Sequence, residues 1–169
     1  MFELISISRA ELQYIVSLLV GLAMLRWGAG PERASAFNFL AFIIMPVAVF
    51  RFVGSGAMLF GAYAGLYVLF DVVAFAGFMW IALNANRTYP LWLAGLQLVA
   101  IGAHGARALG DVVSPIAYVI LAIGPSYGQL LVLICGLAAH CRRRRGFGSY
   151  RDWRSGHGLP RLAAVFSGR

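Results

Sequence analysis

The residues of this chain that could do chemistry are few, and most lie in apolar surroundings. Asp71 is the one carboxylate in the run 66–81, which is otherwise almost wholly hydrophobic. An ionised Asp at the centre of a membrane helix costs about 2.5 to 3.5 kcal/mol on insertion scales, so it needs a partner inside the protein. The candidates are His104, Arg107, Gln129, Glu11 and Arg51, each in another apolar run. Two functions could follow from such a group. Asp71 with His104 or Arg107 could form a proton or cation site, because histidine is the residue type that titrates near neutrality. The plainer expectation is a structural pair that fixes helix register, and it is preferred, because a guanidinium stays charged at ordinary pH and cannot relay protons.

These residues need helices to carry them. Of 169 residues, 61% are hydrophobic and 12% charged, against about 45 to 50% and 25% in a soluble domain. A membrane helix takes ~20 mainly apolar residues. The chain therefore has room for about five spans in one bundle, an all-α membrane fold with no separate soluble domain.

Punctuation places the spans. Ser8-Arg9-Ala10-Glu11 has the capping-box pattern before an apolar run, so the first span is expected over 9–27 with Glu11 as a cap residue. With Glu3 and no basic segment before it, this run is not read as a removable signal peptide. Gly28 to Pro31 form a turn, and the second span covers 32–52 with a kink at Pro46. The third covers 57–83, the fourth starts at Pro90 and covers 90–110, and the fifth covers 115–141 with a kink at Pro125. Residues 142–169 form a basic, aromatic tail.

Depth along each span follows from a rise of ~1.5 Å per residue. Counted from the tail-side ends, Asp71 lies at ~20 Å, His104 at ~21 Å, Arg107 at ~26 Å, Gln129 at ~18 Å, Glu11 at ~24 Å and Arg51 at ~27 Å, so one polar layer shared by all five helices is possible. On the fourth span Gln97, His104, Arg107 and Asp111 share a face, while Gly102, Ala106 and Gly110 form a small-residue stripe roughly opposite. Gly61 and Gly65 make a GxxxG on the third span. Both stripes are expected to pack against other helices, with the fourth span at the centre of the bundle.

The net charge of +8 is a property of the tail: residues 142–169 hold eight Arg and one Asp, for +7, and residues 1–141 hold six Arg and five acids, for +1. Arg142, Arg143, Arg144 and Arg145 directly after the last span make that side cytoplasmic by the positive-inside rule, which puts the N-terminus outside. Trp27, Trp80 and Trp92 near the same side suit an interfacial aromatic belt. The arginines, with Tyr150 and Trp153, are expected to contact anionic lipid headgroups or a membrane or cytoplasmic protein partner in preference to nucleic acid.

No catalytic motif occurs in a suitable context, and neither a nucleophile with its base nor a metal-ligand spacing is visible. His104 and His140 are ~20 Å apart in depth and cannot share one haem iron, while Cys135 and Cys141 lie on opposed helix faces, unsuited to a disulfide. No cofactor or metal is therefore expected, and catalysis is not the favoured reading.

The run Tyr89-Pro90-Leu91-Trp92-Leu93-Ala94-Gly95-Leu96-Gln97-Leu98-Val99-Ala100, followed by His104, resembles a segment of small uncharacterised multi-pass membrane proteins of alphaproteobacteria. That resemblance implies a bacterial inner membrane and carries no activity. The expectation is thus a five-span inner-membrane protein without catalysis, serving as an accessory or interaction subunit. The alternative is a small proton-coupled transporter or channel that uses the Asp71, His104 and Arg107 cluster.

Overall fold

The structure, a computed structural model, describes residues 2–52, 64–108, 115–148 and 151–154. Within them the regular structure is helical: α1 (Phe2–Trp27), α2 (Gly30–Phe39), a π-helical turn (Leu40–Ile44), α3 (Met45–Phe52), α4 (Ala64–Asn84), α5 (Tyr89–Ala108) and α6 (Pro115–Phe147). Among the described residues, three stretches are long and apolar enough to cross a membrane: Gly30–Val49, Gly65–Asn84 and Ile123–Gly146.

Several boundaries differ from the sequence expectation. α1 begins at Phe2, so Ser8 and Glu11 lie inside the helix and the capping-box pattern marks no start. The reason is local, since residues 2–7 contain neither Gly nor Pro and nothing stops the helix from extending backwards. At its other end α6 continues through Arg142–Arg145 to Phe147, and the arginines form helical turns where a tail was expected.

The second rod consists of α2, the π turn and α3 in succession, because Leu40 and Met45 at the junctions both keep right-handed helical backbone. The Met45 N–H donates to the Leu40 carbonyl five residues back. Pro46 follows immediately. Its ring would crowd the carbonyl four residues earlier and it has no N–H to give, and a wider turn before it relieves both problems.

The rods close into a ring. α1 packs on α2, α2 on α4, α4 on α5, α5 on α6, and α6 returns to α1. Met24, Phe39, Phe78, Leu93 and Leu133 are fully buried inside it. Leu12, Leu19, Leu83, Leu91, Trp92 and Leu131 are more than half exposed on its outside, as lipid-facing residues of a membrane bundle would be. α5 is a ring member with an open outer face, and the central position expected for it is not what the packing shows.

Where α2 meets α4, Asn38 is buried and its Nδ2 donates to the Ala74 carbonyl at 2.8 Å. Gly77 makes this approach possible, because a Cβ there would run into the Asn38 carboxamide. Gly77→Leu is expected to cost about 1 to 3 kcal/mol through overpacking and loss of the Asn38 bond, read as a lower midpoint of thermal unfolding in detergent. Gly95→Ala, where a Cβ meets nothing within 4 Å, should leave the midpoint unchanged or raise it.

Candidate functional site

Asp71 on α4 faces α5. Its Oδ1 accepts a hydrogen bond from Gln97 Nε2 at 2.7 Å, and its Oδ2 lies 3.1 Å from His104 Nε2. Gln97 and His104 are two helical turns apart and thus share one side of α5. Gln97 Oε1 in turn accepts from Gln129 Nε2 of α6 at 2.6 Å, and the same Nε2 also points at the Leu93 carbonyl at 3.3 Å. The result is a polar chain through three helices.

Burial grades along that chain. Gln97 and Gln129 are 2% and 1% exposed, whereas the side chains of Asp71 and His104 retain 19% and 12% of their surface. Both carboxylate oxygens of Asp71 have a partner, as a carboxylate inside an apolar bundle requires. With Nε2 as donor, His104 carries its proton on that nitrogen, a tautomer assigned from the bond it makes. The arrangement can hold α4, α5 and α6 in a single register, and it presents one carboxylate and one imidazole to the partly open side.

Of the polar layer expected from the sequence, the structure thus brings together Asp71, His104 and Gln129, with Gln97 as the link between them. Glu11 is exposed on α1 and takes part in none of these bonds. The side chains of Arg51 and Arg107 lie outside what the structure describes. Among the glycines and alanines expected to pack, Gly65, Gly102 and Ala106 are exposed, and a Cβ at Gly65 or Gly102 would meet nothing within 4 Å. At these described positions the stripes face away from the other helices of this chain. Gly61, Gly110 and Tyr150 lie outside the described residues.

A second polar group lies at the tail-side end of the ring. Glu32 in the first turn of α2 is fully buried, and Arg87 from the α4–α5 turn reaches it, with Nε 3.4 Å from Glu32 Oε1. Arg87 Nη2 also pairs with Asp152 at 3.2 Å, and its Nη1 donates to the Asn86 carbonyl at 2.8 Å. His140 of α6, 4% exposed, places Nδ1 3.8 Å from Glu32 Oε2. Two acids, a guanidinium and an imidazole therefore come from α2, the α4–α5 turn, α6 and the tail.

Through Asp152 this group holds the start of the tail against the bundle. The Asn86 N–H donates to the Asp152 carbonyl at 2.9 Å, and the Arg154 N–H donates to the Asn84 carbonyl at 2.6 Å, an antiparallel bridge centred on Ala85 and Trp153. The second bond satisfies a carbonyl at the end of α4 that has no partner within its helix. Trp153 packs against Trp80 in a tilted arrangement, ring centroids 5.8 Å apart and planes at 54°, and its indole Nε1 stands over Gly30. Trp153 is thus engaged by its own bundle. Arg142 to Arg145 remain exposed on α6.

Sequence reasoning missed the charge group at the tail-side end. Glu32 follows Pro31 in the first turn of a helix, where an acid is ordinary and needs no partner to explain it. Arg87 lies in a polar turn, where an arginine is equally unremarkable. The available signal was scarcity: the chain has six acids, and three of them, Glu32, Asp71 and Asp152, are paired here.

Among the described residues, no three His, Cys, Asp or Glu side chains converge as a metal site would require. Cys135 and Cys141 are both free thiols. No protein-family model matches this chain, no curated protein matches it in sequence, and no solved structure matches it in fold.

Proposed function

We propose that this chain is a five-span protein of a bacterial inner membrane, with its N-terminus outside and its C-terminus in the cytoplasm. It acts without catalysis, as an accessory subunit whose arginine-rich cytoplasmic end binds anionic headgroups. The observation that carries this reading is the run Arg142–Arg145, four exposed arginines on the last helical turns of an apolar span. Arginines just inside a membrane attract anionic lipid by about 1 kcal/mol each. Trp27, Trp80 and Trp92, exposed at the same end of the bundle, support an interface at that level. α1 and α5, 26 and 20 residues long, are long enough to serve as the remaining spans at ~1.5 Å per residue.

The polar chain from Asp71 to Gln129 fits this reading better than proton-coupled transport. It joins helices sideways, and two of its four members are amides, which have no titratable proton to pass on. A reporter active only outside the cytoplasm, fused to either end, should score at the N-terminus alone. Scoring at both termini or at neither would exclude five spans. Anionic phosphatidylglycerol should raise the unfolding midpoint of the purified protein more than phosphatidylcholine does. Changing Arg142, Arg143, Arg144 and Arg145 together to Gln should abolish that preference, and a variant that keeps it overturns the lipid-binding role.

A further inference from the structure

Between the start of α5 and the second half of α6 runs a groove of about 400 Å³. We infer that it seats one anionic glycerophospholipid, with the phosphate on Arg143 and one acyl chain along α6. This rests on the headgroup reading above and adds to it a defined site and a single bound molecule.

The groove is chemically divided. Arg143 and Thr88 line one end, and Tyr89, Trp92, Leu131 and Cys135 line the rest. The guanidinium offers a phosphate several donors in a fixed plane, and the threonine hydroxyl can add another. From Arg143 back to Leu131 is twelve residues of α6, or ~18 Å of helix, close to the ~15 Å hydrocarbon depth of one leaflet. The apolar part, from Ala139 to Leu131, spans ~12 Å of that, enough to seat most of one acyl chain within its leaflet. It also opens outward, since Trp92 and Leu131 are 69% and 62% exposed.

Gly136 sets the depth. A Cβ there would come within 3.2 Å of the Tyr89 ring, so the bare backbone lets the ring settle against α6. Charge complementarity selects the occupant. Arg142, Arg144 and Arg145 add further exposed cations on the same turns of α6, and a basic pocket between membrane helices on the cytoplasmic side is a headgroup site. A zwitterionic lipid would set its own ammonium among those arginines.

The test is native mass spectrometry of the full chain released from nanodiscs holding equal amounts of phosphatidylcholine and phosphatidylglycerol. The wild type should retain one phosphatidylglycerol per chain. Arg143→Gln should lower the retained fraction about tenfold, the size of a lost charge-assisted hydrogen bond. Ala139→Trp, which fills the groove and alters no charge, should do the same. Arg142→Gln, which removes a neighbouring cation outside the groove, should lower the retained fraction far less than Arg143→Gln does. Equal loss in Arg142→Gln and Arg143→Gln, with no effect of Ala139→Trp, would overturn the groove and leave the diffuse headgroup reading standing. Equal retention of both lipids by the wild type would overturn both, and a lipid-free dimer blocked by Ala139→Trp would assign the groove to a second copy of the chain. Should Ala139→Trp fail to fold, Arg143→Gln against Arg142→Gln still decides.

Discussion

Arg87→Gln is expected to destabilise the folded protein by about 3 to 5 kcal/mol, the cost of removing one partner from a buried ion pair. The large figure applies because Glu32 is fully buried and Arg87 is its cationic partner at 3.4 Å. A carboxylate left there without its guanidinium has no route to water. The same substitution removes the pairing with Asp152, so the tail should come loose as well. Unfolding in detergent reads the first effect, and cleavage at Arg151 by an arginine-specific protease reads the second. Asp152→Asn separates the two: its side chain is 34% exposed, so its pairing is worth about 1 kcal/mol or less to stability, yet cleavage at Arg151 should still accelerate. Replacing both Glu32 and Arg87 by Leu and Met should recover much of the stability, because an apolar pair can substitute for a buried ionic one, without restoring protection of the tail. An Arg87→Gln protein as stable as wild type would show that Glu32 does not depend on this contact.

The contrast between the two polar groups explains what could be read from the sequence. Asp71 was visible because it sits in an apolar run where a carboxylate has no ordinary reason to be. The 3.6-residue period then put Gln97 and His104 on one face of their helix, and depth counting placed Gln129 at a similar level. Glu32 and Arg87 sit where acids and arginines are commonplace, and one of the partners of Arg87 comes from a tail segment 65 residues beyond it that folds back onto the turn. No periodicity reports such a long-range return. The small-residue stripes misled for a related reason: a stripe containing Gly102 and Ala106 says that a close approach is possible, and says nothing of whether a neighbour comes. Gly77, outside any such motif, is where an approach occurs, and the cause is Asn38 on a different helix. At both termini of the bundle the helices run past the expected ends, because a cap pattern and a charge run are only weak stop signals without Gly or Pro.

Gln97→Leu is expected to lower stability by about 2 to 3 kcal/mol, the larger part coming from Asp71. The amide is the middle link: it donates to Asp71 at 2.7 Å and accepts from Gln129 at 2.6 Å. Neutral hydrogen bonds between membrane helices average only about 0.6 kcal/mol, so the Gln97–Gln129 bond alone would make the variant mild. A bond to a charged group contributes about 1.5 to 3 kcal/mol, and Asp71 keeps only His104 once it is gone. Adding Gln129→Leu to Gln97→Leu should then cost little more, because Gln129 has already lost its acceptor and falls back on the Leu93 carbonyl at 3.3 Å. Adding Asp71→Leu should recover stability outright, since it removes the carboxylate that Gln97→Leu leaves half-satisfied. Unfolding of the single, double and triple variants in one detergent measures each step. Recovery on adding Asp71→Leu would establish the carboxylate as a lock between α4 and α5. If Asp71→Leu instead lowers the stability of Gln97→Leu further, the carboxylate is held by partners other than this amide, and the register role passes to them.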